Sequence, residues 1–307
     1  MPAYLSHAVF SHKAFKSLEK YKLFKIDVPI SKLRFDSIKT DFFAYKSKRF
    51  LCYDENHNCY VQKFVKTQME YIIENRLYEN IDVMSEFYGH ILHTIMDQVF
   101  HPFIYSMTDN YKTNGMPIKG KHFELESLID SYLASEYLNL DIKDYARFCV
   151  DSKYMKLSKE EKDIIKYSYG KVYGYSNLEL NSFIFALSLI LEELIIRCDS
   201  TSVKRSFYEK FSFKYLSRNI KPNEYLDKMN LENKKWLNLN DLNISNSSID
   251  DLYKMALNRS LEIIEVLNLN IYDKRKIDDS FYKVFEDISL DTGVKCSYQK
   301  RIWNWLF

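Results

Sequence analysis

The sequence predicts an all-α protein, and three observations carry that prediction. Of the 307 residues, only six are glycine and five are proline, so few positions interrupt a helix. Leu, Ile, Lys and Glu are abundant, which favours helix over sheet or disorder. Hydrophobic residues make up 46% of the chain, which is ample for a packed core. We therefore expect one compact multi-helix bundle that spans residues 1–307.

The first part of the chain divides into helices separated by polar or turn-like segments. Helices are predicted over residues 3–18, Val61–Glu74 and Val83–His101. A loop with Pro29 leads to FDSIKTDFFAY at residues 35–45, and residues 46–60 are polar and turn-like. Pro102 disfavours helical geometry at the residue before it, so the third of these helices is predicted to end at His101.

The second part begins with a predicted loop over Thr108–Lys121, which contains Asn-Gly, a proline and a further glycine. Helices are then expected near Asp141–Ser152, Ser158–Tyr169, Leu178–Cys198, Val203–Leu216, Ile249–Leu267 and Asp279–Asp287. The Asn-rich stretch Arg218–Ser248 is predicted to be irregular.

Composition excludes several classes of protein. A net charge of +2 indicates no general affinity for nucleic acid. The five cysteines are scattered without a C-x-x-C pair, which is typical of isolated reduced thiols. The N-terminus has no apolar core of a secretory signal, and the apolar run Phe183–Leu191 is too short to span a bilayer. We expect a soluble, cytoplasmic protein with no transmembrane segment.

The stretch GHILHTIMDQVFHPFI, residues 89–104, contains the most informative pattern in the chain. His93, Asp97 and His101 are spaced four apart, so on a helix they fall within an arc of roughly 80°. Imidazole nitrogen and carboxylate oxygen are ligands that zinc accepts. A histidine on an apolar face is, however, often a core residue with satisfied hydrogen bonds, and one H-x-x-x-D pair is a weak signal.

A second pair strengthens the metal hypothesis. His122 and Glu126 are again four apart, and all seven histidines lie within residues 7–122. Core histidines should be scattered along a chain, whereas ligands gather in the elements that build a site. The sequence therefore predicts a metal centre. Asp130, on the same face as His122, is interpreted either as the group that orients its ring or as a helix-surface acid.

Taken in chain order, eight residues resemble the ligand series of the zinc-dependent phospholipase C family. They are His7, Asp41, His57, His93, Asp97, His101, His122 and Glu126. The flanking text is similar too: MPAYLSH at the start, TDFFAY around the first aspartate, H-x-x-x-D-x-x-x-H-P and H-x-x-x-E-x-x-x-D. The resemblance covers residues 1–135 well and the remainder loosely. It implies a metal-site core in residues 1–135, supported by helices from residues 136–307.

The resemblance also implies an arrangement of two to three zinc ions in an all-helical fold. Asp41, His57, His93 and Asp97 would hold one ion, and His101, His122 and Glu126 would hold a second. A third would lie between His7 and a bridging Asp97. Secreted members complete that third site with an N-terminal Trp, which this chain lacks, although removal of the initiator Met would place Pro2 five residues before His7.

The function implied is hydrolysis of a phospholipid head-group ester, or of another phosphodiester, by a metal-activated water, with Asp41 as a ligand or as the base. One alternative is a single-strand-type zinc nuclease on the same framework, although no stable nucleic-acid binding is expected. Another is a non-catalytic zinc-binding helical protein. A ferritin-like di-iron protein is disfavoured because the chain has no E-x-x-H pair.

Further residues near the series have two interpretations each. His90 is interpreted as a group behind the ligands or as a core or surface histidine, and His12 has no place in the series. Four aromatic residues would form a cage for a quaternary ammonium head group or pack in the core: Phe42, Phe43, Tyr45 and Tyr53.

Overall fold

The structure is a computed structural model that describes residues 4–41, 57–108, 116–140, 148–149, 151–154, 156–177, 181, 226–238 and 242–296. Those residues are mostly helical, in agreement with the predicted all-α class. The helices are α1 (Tyr4–Lys20), α2 (Ile30–Lys39), α3 (Val61–Glu74), α4 (Ile81–Thr108), α5 (Met116–Leu138), α6 (Lys159–Tyr173), α7 (Ile249–Asn268) and α8 (Asp279–Val284). Short 3-10 turns occupy Leu77–Glu79, Ser152–Tyr154 and Leu226–Met229, and a π-helical turn, Leu269–Lys274, follows α7.

The central element is α4, a helix of 28 residues. It is buried on every side over most of its length, and it packs against α1, α2, α3, α5, α6 and α7. A helix that is largely apolar all round lies inside a large core rather than on its surface. Within the described residues, no helix is both long enough and apolar enough to cross a membrane.

The prediction that this helix ends at His101 is wrong, because α4 continues through Pro102 to Thr108. Proline inside a helix removes a hydrogen bond and costs ~3 kcal/mol or more. The turn that follows contains Phe103, Ile104 and Tyr105, all buried. Burying three such side chains contributes ~1.5–3 kcal/mol each, which offsets the cost of the proline.

The predicted loop Thr108–Lys121 is also wrong over its last residues, since α5 begins at Met116. Pro117 lies in the first turn of α5, where a backbone N–H has no hydrogen-bond partner within the helix. The N–H that proline lacks is therefore lost at little cost. In the stretch predicted to be irregular, two short strands pair antiparallel, β1 (Trp236–Leu237) and β2 (Ile244–Ser245). Trp236 is held there by packing on Phe103 of α4, with ring centroids 5.4 Å apart.

Of the other predicted helices, some match the structure closely and some cannot be compared with it. Val61–Glu74 is confirmed residue for residue, and Ile249–Leu267 differs from α7 by one residue. Helix α2 had no prediction. Four sets of predictions lie wholly or mostly outside the described residues: all but one residue of the helix Leu178–Cys198, the helix Val203–Leu216, most of Asp141–Ser152, and the four candidate cage aromatics. That the later helices form one domain with residues 1–135 stays a prediction.

Helix α2 lies unusually close to α4, and Gly89 makes that approach possible. A Cβ atom added at Gly89 would lie 2.7 Å from Cβ of Asp36 and 2.8 Å from the backbone nitrogen of Ser37. Real Cβ atoms do not approach other atoms this closely, so a larger residue would force the two helices apart. This close crossing fixes the distance between the C-terminal end of α2 and the face of α4 that contains His93 and Asp97.

A buried network of charges fastens α2 to its neighbours. The Lys39 ammonium lies 2.6 Å from Asp36 Oδ1, 3.3 Å from Glu161 Oε1 of α6, and in contact with Glu86 of α4. The Lys32 ammonium lies 2.6 Å from Glu161 Oε1. Burial raises the pKa of Glu86 to about 7, against the effect of Lys39. Each charge in the network is therefore held in the core by its partners.

We predict that Lys39→Met destabilises the protein strongly, because it leaves buried Glu86 without its cation and removes one of the two ammoniums beside Asp36 and Glu161. Removing one partner of a buried ion pair costs ~3–5 kcal/mol. Lys66→Met is the matched control, since Lys66 pairs with Glu70 one turn away at the partly exposed surface of α3. That change should cost no more than ~1 kcal/mol. Urea unfolding of both variants measures the difference, and equal losses would contradict the role given to Lys39.

Candidate metal centre

Four buried side chains from three parts of the chain form a first ligand group. α4 presents His93 and Asp97, Asp41 lies just beyond the end of α2, and His57 lies ahead of α3. One ligand atom from each lies within 4.8 Å of every other. Residues far apart in sequence thus meet where the predicted series required them to meet.

The distances within this first group fit the coordination shell of a metal ion. His57 Nε2 and His93 Nε2 are each 3.5 Å from Asp41 Oδ1, and they lie 3.9 Å and 3.1 Å from Asp97 Oδ2. Tetrahedral zinc with bonds of ~2.1 Å places its ligand atoms roughly 3.4 Å apart. Two imidazoles and two carboxylates therefore surround a space of the right size for such an ion.

His7 extends this group on the other side of Asp97. It lies on α1, its Nε2 atom is 3.2 Å from Asp97 Oδ1, and its ring stacks on His93 with centroids 4.0 Å apart. Asp97 thus turns one oxygen toward the first group and the other toward His7. The predicted contribution of Pro2 to a third site lies outside the described residues.

A second ligand group consists of His101, His122 and Glu126, again with one ligand atom of each within 4.8 Å of the others. His122 Nε2 is 2.9 Å from Glu126 Oε1, and the two imidazole rings are stacked 6.0 Å apart. His101 lies one turn beyond Asp97 on α4, while the other two come from α5. All three side chains are buried.

Backbone carbonyls set the protonation of two ligand histidines. His93 Nδ1 lies 2.8 Å from the carbonyl oxygen of Ser37, and His101 Nδ1 contacts the carbonyl oxygen of Leu290. A carbonyl only accepts, so in each ring Nδ1 carries the proton and Nε2 keeps its lone pair. Each Nε2 faces its ligand group, which is how metal-binding histidines are oriented.

The electrostatics of the site favour the ligand forms of most of these groups. His93 is the exception: burial alone would lower its pKa, but Asp97 and Asp41 raise it above its ordinary value. Burial lowers the pKa of His7, His101 and His122, to about 3 for His101, so these rings are neutral near pH 7. Burial alone would raise the pKa of Asp97, but the surrounding imidazoles hold it well below its usual range. Neutral imidazole and ionised carboxylate are the forms that bind a metal.

Several of the candidate ligand atoms are available to a metal because they have no hydrogen-bond partner of good geometry in the described part of the chain. Among the described residues, buried atoms without a hydrogen-bond partner of good geometry include both ring nitrogens of His7, both oxygens of Asp41 and of Asp97, and Nε2 of His93 and His101. Unsatisfied polar atoms in a core cost ~1–3 kcal/mol each. A cation bound among them would remove that cost.

The structure therefore brings together all eight residues predicted from the series, and it places three neighbours outside the groups. His90 is buried, and its Nδ1 atom lies 3.2 Å from Thr40 Oγ1, next to Asp41. His12 is half-buried, with Nδ1 3.4 Å from Arg34 Nη1. Asp130 is buried, so the surface interpretation is wrong. Its Oδ1 atom accepts hydrogen bonds from the backbone N–H and the hydroxyl of Ser6, beside His7.

Sequence reasoning missed the residues that hold the ligands in place. Ser37 and Leu290 act through their backbone carbonyls, which leave no signature in side-chain chemistry. Asp291, next to Leu290 in the chain, is buried, and the segment Ser-Leu-Asp-Thr-Gly that contains it resembles an ordinary surface turn. Of the five cysteines, the three within the described residues, Cys59, Cys149 and Cys296, are reduced and not disulfide-bonded, as predicted.

Comparison with known proteins adds no relative: no family model, no curated protein and no solved structure matches this chain. The metal centre consequently rests on its own geometry. The likeness to the zinc-dependent phospholipase C family stays a hypothesis based on the eight residues and their flanking motifs.

We predict that Gly89→Ala lowers the affinity of the first group for zinc by ~10-fold or more, since it moves Ser37 and Asp41 relative to His93. Gly170→Ala in α6 is the control, because a Cβ there would meet only an ordinary contact of 3.5 Å with the Tyr175 carbonyl oxygen. Competition with a chromophoric chelator measures the affinity. Equal affinities in the two variants would show that the crossing of α2 and α4 does not set the site.

Proposed function

We propose that this chain is a zinc-dependent phosphodiesterase whose substrate is the head-group ester of a phospholipid. The observation that carries the proposal is the pair of ligand groups that share one stripe of α4, with Asp97 in the first and His101 one turn away in the second. Two neighbouring metal sites are the usual arrangement for in-line displacement at phosphorus. We also propose that the helices follow the phospholipase C type of bundle.

The ligands would be divided as follows. Asp41, His57, His93 and Asp97 would hold one ion, and the second would be held by His101, His122 and Glu126. His7, with the remaining oxygen of Asp97, offers two donors toward a third ion. The predominance of imidazole and carboxylate donors suits zinc among the divalent metals.

Zinc ions supply Lewis acidity to such a site, where they acidify water and offset the negative charge that develops on the phosphoryl and leaving oxygens. Asp41 is suited to accept the proton of the attacking water. Its Oδ1 atom faces His57 and His93, whereas Oδ2, buried and without a hydrogen-bond partner among the described residues, is available for that proton. The buried position of the ligands strengthens every electrostatic interaction among them.

The choice of a phospholipid over a nucleic acid rests on two arguments. The chain has a net charge of only +2, whereas binding to a polyanion calls for a basic groove. The order of the ligands and their flanking motifs is also similar to that of the phospholipase C family.

We expect two to three zinc ions per chain in protein purified without chelators. His93→Ala and His122→Ala should each remove about one equivalent and lower the melting temperature, since metal-binding energy is partly folding energy. His12→Ala is the control, because His12 is half-buried and lies outside both ligand groups. Elemental analysis measures the content. Less than one equivalent of any transition metal in the unmodified protein would refute the centre.

We expect Asp41→Asn to reduce hydrolysis by ~10²-fold or more, because the amide cannot accept the proton of water. The same change should cost at most one zinc ion. Asp27→Asn provides a matched loss of charge at an exposed position and should leave turnover unchanged. The assay offers p-nitrophenylphosphorylcholine, phosphatidylcholine vesicles and single-stranded DNA in parallel.

Three results of that assay separate the candidate functions. Preference for the choline substrates supports the phospholipase, and preference for DNA moves the assignment to a nuclease. If the fully metallated protein cleaves none of the three, the enzyme proposal is abandoned and a non-catalytic metal-binding protein remains.

A further inference from the structure

A tight turn near the end of the described chain touches both ligand groups. The turn, Asp287–Cys296, is called here the Leu290 turn. Its two arms are joined by an antiparallel bridge between Ile288 and Lys295, and the Cys296 N–H donates to the Asp287 carbonyl oxygen at 2.8 Å. Inside it, the Ser289 hydroxyl oxygen accepts the backbone N–H of Asp291 at 3.1 Å. These bonds make the turn a rigid unit.

One residue of this turn is bonded to a ligand from each group. The Leu290 N–H donates to the carbonyl oxygen of His57 at 2.7 Å, and the Leu290 carbonyl oxygen accepts from His101 Nδ1. His57 belongs to the first group and His101 to the second. A displacement of Leu290 would therefore disturb both groups together.

The next residue carries a buried carboxylate directly after Leu290, whose carbonyl oxygen contacts His101 of the second group. Asp291 is 2% exposed, and its Oδ2 atom accepts from Asn58 Nδ2 at 2.7 Å. The Asn58 side chain is fixed in turn by the Ser289 hydroxyl, which donates to Asn58 Oδ1 at 3.0 Å.

Charge balance explains why such a carboxylate is useful there. With one ion in each group and none beside His7, the two carboxylates of the first group, Asp41 and Asp97, balance a divalent cation. The second has only Glu126, so a dication bound among its ligands would leave an excess positive charge in the core. Asp291 would neutralise that excess, and buried charges are tolerated when they are balanced.

The turn is seated against α4 at its proline. A Cβ added at Gly293 would lie 2.5 Å from Pro102 Cγ and 2.7 Å from the Gln98 carbonyl oxygen. The Gln98 side chain also donates from Nε2 to the Ile288 carbonyl oxygen at 2.8 Å. Gly293 has a φ of +68°, a conformation that glycine adopts without strain. Only glycine fits this contact.

We propose that the Leu290 turn is a positioning element of the metal centre, in which Leu290 orients His57 and His101 and Asp291 supplies the charge that the second group lacks. The inference rests on the metal centre of the proposed function but not on phosphodiester hydrolysis. Zinc affinity of the second group then depends on a segment outside the ligand series, far along the chain.

The first test changes the charge alone. Asp291→Asn keeps the size of the side chain and an oxygen that accepts from Asn58. We expect zinc affinity at the second group to fall ~10-fold or more, as is usual for residues behind metal ligands. Competition with a chromophoric chelator gives the affinity. In a His122→Ala background, where the second group is already broken, the same substitution should have little further effect.

The second test moves the turn. Gly293→Ala should lower zinc affinity at both groups, because the added methyl pushes the turn away from Pro102. Gly174→Ala is the control: its φ of +76° imposes the same kind of backbone strain, but an added Cβ meets nothing within 4 Å. Urea unfolding of the metal-free variants shows how much of each effect is general destabilisation.

The outcomes distinguish this proposal from the proposed function. If the unmodified protein binds zinc and Asp291→Asn leaves its affinity unchanged, the role of the turn is refuted and the centre stands. An equal effect of Asp291→Asn in the His122→Ala background would also refute it, since the charge would then act elsewhere. Loss of zinc as expected, in a protein that hydrolyses none of the substrates, refutes the enzyme and supports the turn. A protein that binds no zinc refutes both.

Discussion

The interaction on which the rest of this structure depends is the burial of charged ligands along one stripe of α4. His93, Asp97 and His101 point into a core that α1, α2, α3, α5 and α7 close from the sides. Carboxylates buried in this way are stable only if imidazoles or cations surround them. The neighbouring helices accordingly bring His7, Asp41, and His122 and Glu126 of α5 to that stripe. The same contacts between helices therefore pack the core and assemble the site.

Two glycines allow the backbone to approach α4 closely enough for this assembly. Gly89 lets α2 lie against α4, and Ser37 then reaches His93 with its carbonyl oxygen. Gly293 lets the Leu290 turn rest on Pro102, and Leu290 reaches His101 in the same way. In a chain with only six glycines, these two lie where a methyl group would separate a ligand from the group that orients it.

The sequence predicted the ligands better than it predicted their supports, and the reason is physical. Metal ligands need particular side chains at helical spacing, so His93-x-x-x-Asp97 and His122-x-x-x-Glu126 are visible in the text. The continuation of α4 past Pro102 depends on the burial of the next turn in the core. Local sequence rules for proline do not take such tertiary packing into account. Contacts made by backbone carbonyls, such as those of Ser37 and Leu290, carry no residue signature and were found only in the structure.

A comparison of two acidic clusters in the same core strengthens the case for an external cation. Asp36, Glu86 and Glu161 also bring oxygens within 4.8 Å of one another, but the Lys39 and Lys32 ammoniums lie among them and offset most of their charge. In the part of the chain that the structure describes, Asp41 and Asp97 pair with imidazoles instead.

Those imidazoles include His7, whose lowered pKa keeps it neutral near pH 7. His93 is the exception, because Asp97 and Asp41 outweigh the effect of burial and raise its pKa. One cluster therefore contains two ammonium groups, and the other has imidazoles and carboxylates arranged around a space of metal-ion size. Because uncompensated carboxylates are costly in a core, a cation bound among Asp41, Asp97 and their histidines would complete the charge balance of that cluster.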